Sequence, residues 1–232
     1  MDAENKDNYY LKNKKRIMRN FDAMLIVAKQ VLSENFGEQK YNEMVASTRN
    51  EFEALLPQIP YIGGNNRLTE PLINASALLT ILRTIENEGL EYRKIGRIIY
   101  ELFEAFYKVM PQTEDIFSDE YLNMEKERAK NSKLKKYPGG WVSDFIEGDG
   151  KTFTFGVDYT ECGVYKFYKS QEAERFMPIV CIADYAQARS YGYGLTRTQT
   201  IGNGADICDF RYLKNGSTPR AWPPDKLPEF KK

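Results

Sequence analysis

The chain has 232 residues, 42% of them hydrophobic and 13% aromatic, enough apolar material for one compact unit or two closely packed halves. Lys plus Arg and Asp plus Glu number 33 each, and such a balance gives no electrostatic reason to expect nucleic acid or an anionic membrane as the main partner. Histidine is absent, which excludes a Ser-His-Asp triad and an HExxH zinc site, and three cysteines (162, 181 and 208) are too few and too far apart for a disulfide framework.

The opening stretch, MDAENKDNYYLKNKKR, has no apolar signal-like core, and no run reaches the roughly 18 apolar residues of a membrane span. A soluble cytoplasmic protein with reduced thiols is expected. Ile17, Met18, Phe21, Met24, Leu25, Ala28, Val31 and Leu32 recur at helical steps, and Tyr41, Met44, Val45, Thr48, Phe52, Leu55 and Leu56 repeat the pattern. After the breaker PYIGGNNRLTEP, Leu72 to Ile85 is apolar on most sides, as in a central helix, with Thr69 as its expected N-cap. Within the breaker, Gly63-Gly64-Asn65-Asn66 reads as a connector, since it lacks the lysine of a phosphate loop. Ile95, Ile98, Ile99, Leu102, Phe103, Phe106 and Met110 define another amphipathic helix. From Asp115 to Tyr137 a further helix loses its apolar stripe, and its charged run EKERAKNSKLKK reads as a solvated face.

Pro138-Gly139-Gly140 breaks the chain, and strand signals follow. Trp141 to Glu147, the turn GDGK and Thr152 to Tyr159 form one expected hairpin, with Phe153, Phe155, Val157 and Tyr159 on its apolar face. Helices are expected over Glu161 to Lys169 and Glu172 to Ser190. A second hairpin runs from Leu195 to Ile201 and from Asp206 to Leu213. The pattern predicts an α+β fold: a helical part over 1–137, then an α+β part over 138–213 with a four-stranded antiparallel sheet in ββααββ order. An irregular tail over 214–232, anchored by Trp222, completes one compact unit.

Chemistry can reside at several places. Thr160 as a helix N-cap puts Cys162 at the second helical position, where free N–H groups and the dipole lower a thiol pKa without histidine. The alternative is a small buried hydrophobe. Cys181 shares a helix face with Asp184, and an aspartate among Ile, Val and Ala needs a partner or a function. Asp209 and Arg211 share one strand face, opposite Cys208 and Phe210. They form an ion pair, or else Arg211 clamps a substrate carboxylate, with Arg197 a second candidate for that task. The cysteine spacings fit no compact zinc pattern, so no metal or other cofactor is required; three thiolates meeting Asp184 or Asp209 in space is the alternative.

PYIGGNNRLTEPLINASALLTILRTIENEGLEYRKIG, TECGVYKFY, CIADYAQA and LTRTQTIGNGADICDFRY, in this order from about Leu55 to Leu213, resemble the family of L-2-amino-thiazoline-4-carboxylic acid hydrolases. The three cysteines, Asp184 and Asp209 fall where that family's pattern has the same residue types. The resemblance implies hydrolytic opening of a 2-aminothiazoline ring to N-carbamoyl-cysteine. It makes Cys162, Asp184, Cys181 and Asp209 candidate catalytic residues and Arg211, Arg197, Thr160 and Cys208 candidate substrate-binding residues. In one version Cys162 attacks the ring; in the other Asp184 draws a proton from water. The partner is then a small-molecule substrate, with a homo-oligomer open. The competing expectation is a non-catalytic small-molecule-binding or sensor protein of related fold, with a fainter likeness to vinyl-reductase-type domains.

Overall fold

The computed structural model describes residues 6–230, with side chains from residue 9 onward. The helical part and the tail expected from the sequence therefore extend a few residues beyond the described ones. Helices α1 (Lys6–Phe36) and α2 (Glu38–Leu55) form an antiparallel pair turned at Gly37, whose φ of 84° is one that side-chain-bearing residues seldom adopt. Helix α3 (Thr69–Glu86) is the centre, with twelve of its eighteen residues buried, so its apolar content on all sides is explained by burial. Each fully buried Leu or Ile there contributes about 1.5–3 kcal/mol. Its buried hydroxyls are satisfied: Ser76 donates to the Leu72 carbonyl at 2.7 Å, and Thr48 and Thr84 bond each other at 2.8 Å. Thr69 is not its N-cap. Leu68 holds that position, while the Thr69 hydroxyl donates back to the Gly63 carbonyl at 2.7 Å and ties down the connector.

Helix α4 (Tyr92–Val109) buries Ile95, Ile98, Ile99, Leu102 and Phe103 along one stripe. Helix α5 (Asp119–Ser132) starts later than expected because Ser118 caps it, its Oγ accepting from the Tyr121 N–H at 3.2 Å. Its charged run is solvated except at Glu125 and Ala129, which turn inward. Glu125 is paired there with Arg128, whose guanidinium also donates to the Tyr159 hydroxyl at 3.1 Å.

Strands β1 (Val142–Glu147), β2 (Phe155–Glu161), β3 (Gly194–Thr196) and β4 (Cys208–Leu213) make one antiparallel sheet in the spatial order β1-β2-β4-β3. The fold is α+β, as the sequence implies, with the two hairpins joined through β2 and β4. Phe155, Val157, Cys208, Phe210 and Leu195 are buried on the sheet, and Phe155 meets Phe117 and Tyr121, at 5.9 and 6.3 Å between ring centroids. The predicted helix over 172–190 is broken in two. A 3₁₀ turn at Glu174–Phe176 leads into α7 (Met177–Val180), and α8 (Ala183–Tyr191) starts anew after Cys181 and Ile182. Helix α6 (Gly163–Ser170) precedes them.

The β1–β2 turn is organised by one carboxylate. Asp149 accepts the N–H groups of Lys151 at 2.8 Å and Thr152 at 2.6 Å, and the Thr152 hydroxyl at 2.8 Å. These donors hold its pKa down at about 2. Its folded value lies below the unfolded one, so its contribution is present above about pH 3.9 and is lost as pH falls towards 2. Replacing Asp149 with Ala should remove that acid-side component. Amide exchange of the turn from pH 5 to pH 2 checks this; an exchange profile equal to wild type would count against it.

Candidate functional site

Strand β2 runs two residues further than the sequence suggests, to Glu161, so Thr160 is an exposed strand residue and not a helix cap. Cys162 itself is the N-cap of α6, with its Sγ accepting the Tyr165 N–H at 3.5 Å. Glu161, a possible opponent of a thiolate, is turned away to Lys135 and Lys166. Gly163 follows because a Cβ there would fall 2.6 Å from the Trp141 ring and 2.7 Å from the Gly139 carbonyl. That close approach lays the indole beside Cys162.

The expected depression of the Cys162 pKa is not found. Burial pushes the thiol up, and the helix N–H groups and Trp141 only partly draw it back. Cys208 is buried on β4, accepts the Ile201 N–H at 3.2 Å, and is pushed by burial up to about 12. Cys181, in the break between α7 and α8, is raised well above the ordinary thiol value by burial. The 3₁₀ turn Ile201–Asn203 presses on it so closely that a Cβ on Gly202 would come within 2.8 Å of its Sγ. All three are therefore protonated thiols at neutral pH. Reaction with a disulfide reagent at pH 8 should run slower at each thiol in the native protein than in urea, most of all at Cys181 and Cys208, since burial lowers the thiolate fraction. One thiol reacting at the unfolded rate would refute this.

Arg197 is the hub of the site. It lies just beyond β3 with 1% of its side chain exposed, beneath the rings of Tyr185 and Phe210, each 5.0 Å from its guanidinium carbon. Nη1 donates to Asp184 Oδ2 at 2.8 Å, Nε to Glu229 Oε1 at 2.8 Å, and Nη2 to the Cys181 carbonyl. These bonds use three of its five N–H groups, and with 1% of the side chain exposed Arg197 is not open to a substrate carboxylate. Glu229, in the tail, was not among the candidates. Nothing in the proline-rich segment marks it, because its meaning lies in the arginine it reaches.

Asp184 stands in the first turn of α8. Burial raises its pKa, and Arg197 opposes the rise. Even so, 41% of its side chain is reached by water, and Oδ1 receives no hydrogen bond among the described residues. A carboxyl hemmed in by protein yet wet on one oxygen lines a recess. The phenols of Tyr107, Tyr193 and Tyr212, each raised first by burial, also feel its charge. Asp184 and Cys162 likewise influence each other, as do Cys162, Cys181 and Cys208. The geometry thus gathers Cys162, Cys181, Cys208, Asp184 and Arg197.

It does not gather Asp209 and Arg211. Both point from the sheet face opposite Phe210 and Cys208, by the alternation of strand side chains. They do not pair with each other: Asp209 accepts from Thr198 and Gln199, while Arg211 pairs with Asp158 at 2.6 Å. An open cleft of about 490 Å³ lies beside Tyr165, Arg175, Pro178, Ile201 and Gly202, and its wall backs onto all three cysteines, through the Tyr165 N–H at Cys162, the Ile201 N–H at Cys208 and Gly202 at Cys181. Among the described residues no three Cys, Asp or Glu side chains are arranged to hold a metal ion, so the thiolate–aspartate ligand set considered from sequence is not assembled. No helix of the described residues is long and apolar enough to cross a membrane.

An antiparallel sheet packed under helices, with a water-reached carboxylate fixed by a buried arginine near three thiols, defines an α+β protein with a polar candidate site. The chain belongs to the L-2-amino-thiazoline-4-carboxylic acid hydrolase family, whose model matches residues 72–212. That span takes in α3 from Leu72, the sheet as far as Tyr212, and Cys162, Cys181, Asp184, Arg197 and Cys208, and leaves out the tail with Glu229. No curated protein and no solved structure matches the chain.

Proposed function

We propose that the protein is a hydrolase that opens a small cyclic amidine-like ring, such as L-2-aminothiazoline-4-carboxylate, to N-carbamoyl-cysteine. Family membership supports the reaction type. The observation that carries the reading is Asp184: a carboxyl with raised proton affinity, held through Oδ2 and open to water at Oδ1. Such a group is a general base.

Asp184 takes a proton from water as its oxygen bonds to C2, the carbon flanked by nitrogen and sulfur. The tetrahedral centre collapses, the C2–S bond breaks, and its electron pair leaves on sulfur. Water's oxygen ends as the urea carbonyl, and its two hydrogens end on the ring nitrogen and on sulfur. Arg197 holds Asp184 in place and does not clamp the substrate carboxylate. Cys162, a protonated thiol, lines the recess and is not the nucleophile in this reading. Incubation with L-2-aminothiazoline-4-carboxylate followed by mass spectrometry for N-carbamoyl-cysteine tests the proposal. Product is the expected result. No product, with a small molecule retained through purification, would replace the hydrolase reading with the binding-protein one.

A further inference from the structure

Glu229 lies outside the residues that match the family, yet it is buried with 8% exposure against Arg197. The tail is delivered there by specific contacts. The Ala221 N–H donates to the Tyr100 hydroxyl at 3.0 Å, Trp222 packs so closely on α4 that a Cβ on Gly96 would lie 2.3 Å from its ring, and Asn203 Nδ2 donates to the Glu229 carbonyl at 3.1 Å. Both Glu229 carboxylate oxygens are occupied, Oε1 by Arg197 Nε and Oε2 by the Tyr185 hydroxyl at 2.7 Å.

Two carboxylates thus share one guanidinium. With both ionised the cluster holds one excess negative charge, and of the four carboxylate oxygens only Asp184 Oδ1 accepts no hydrogen bond among the described residues. An excess charge in a protein-lined recess is costly unless a proton or a counter-charge arrives. The counter-charge that fits is a cation with N–H donors, and aromatic walls suit a flat, delocalised one. From this geometry we infer that Asp184 Oδ1 is an anchor for an amidinium-type cation, and that Glu229 is the positioning residue that creates it by engaging the guanidinium that would otherwise neutralise Asp184 in full.

The inference rests on the hydrolase reading for its choice of ligand. The ring carbon between nitrogen and sulfur is most electrophilic when the amidine is protonated; the ring nitrogen then has its hydrogen from solvent before attack, sulfur takes one hydrogen of the water, and Asp184 returns the other to solvent. Oδ1 has two lone pairs, one for the amidinium N–H and one for the attacking water.

Isothermal titration at pH 7.5 with 2-amino-2-thiazoline, a cationic ring without the carboxylate, and 2-methyl-2-thiazoline, a neutral ring of the same shape, tests the anchor without turnover. The wild type should bind the amino ring at least about tenfold more tightly, and Asp184→Asn should abolish the preference. Glu229→Gln keeps an oxygen for Arg197 Nε and should weaken amino-ring binding about fivefold or more. Tyr185→Phe leaves Glu229 leaning harder on Arg197 and should leave binding as tight or tighter; this second variant decides the role of Glu229 if Glu229→Gln does not fold. Equal binding of the two rings overturns the anchor. A folded Glu229→Gln that binds like wild type, or a Tyr185→Phe that binds more weakly, overturns the role of Glu229. Preference for the cation without turnover of the carboxylate-bearing ring keeps the anchor and sinks the hydrolase reading; turnover with no such preference does the reverse.

Discussion

Arg197→Met is expected to destabilise the protein by about 3–5 kcal/mol, because it leaves buried Glu229, half-wet Asp184 and the Cys181 carbonyl without their shared donor. The side chain is 1% exposed and sits between two rings, so neither water nor a neighbour can replace it. Urea unfolding should show a midpoint lower by about 1–5 M, taking a slope of 1–3 kcal/mol/M. The comparison is Arg93→Ala. Arg93 and its partner Asp225 are 64% and 60% exposed, and the loss there should stay below about 1 kcal/mol. If the two variants unfolded at similar urea concentrations, the hub described here would be wrong.

The largest effect on activity is expected at Asp184. Asp184→Asn preserves size and one hydrogen-bonding oxygen but cannot take up a proton, so kcat/KM for L-2-aminothiazoline-4-carboxylate should fall about 10²–10⁴-fold. Cys162→Ser should retain activity within about tenfold, since its thiol is protonated and water is the nucleophile in this reading. The reverse order, with Cys162→Ser inactive and Asp184→Asn active, would transfer the chemistry to the thiol. The acid limb of the wild-type pH profile supplies a further check. Burial raises the Asp184 pKa, so activity should fall away at a pH above the ordinary aspartate value of about 3.9. The sign for stability is opposite. A folded pKa above the unfolded one gives a contribution that is complete below about pH 3.9 and is lost as pH rises through the folded value. At neutral pH the ionised base is thus held at a cost in stability, a common property of groups kept for reaction.

The helical half was legible because its apolar residues repeat at helical steps, and α3 was legible as central because it is apolar all round. The two hairpins were also legible, from alternation bounded by Gly-rich turns, but the first arm of the second is shorter than the expected 195–201: β3 ends at Thr196, and Ile201 stands in a 3₁₀ turn. The break in the predicted 172–190 helix was not. Pro178 permits α7 to start, but the separation at Cys181 and Ile182 reflects Arg197 bonding the Cys181 carbonyl and the Gly202 turn pressing on its sulfur. These are long-range contacts with no local signature.

The site shows the same division. Family resemblance and residue type marked Asp184 and the three cysteines, and strand alternation correctly separated Asp209 and Arg211 from Cys208 and Phe210. Local reasoning about a helix start also suggested a depressed Cys162 pKa. The end of β2 lies two residues later than assumed, and burial outweighs the helix N–H groups. By itself, then, the sequence determined the α+β class, the helix faces, the strand faces and the family, because periodicity and ordered motifs are local properties of the chain. Only the tertiary structure decided that Arg197 serves two carboxylates, that Glu229 is one of them, and that Arg211 turns to Asp158. Charge pairing and desolvation depend on which groups folding brings together, and residues 184, 197 and 229 acquire their meaning only there.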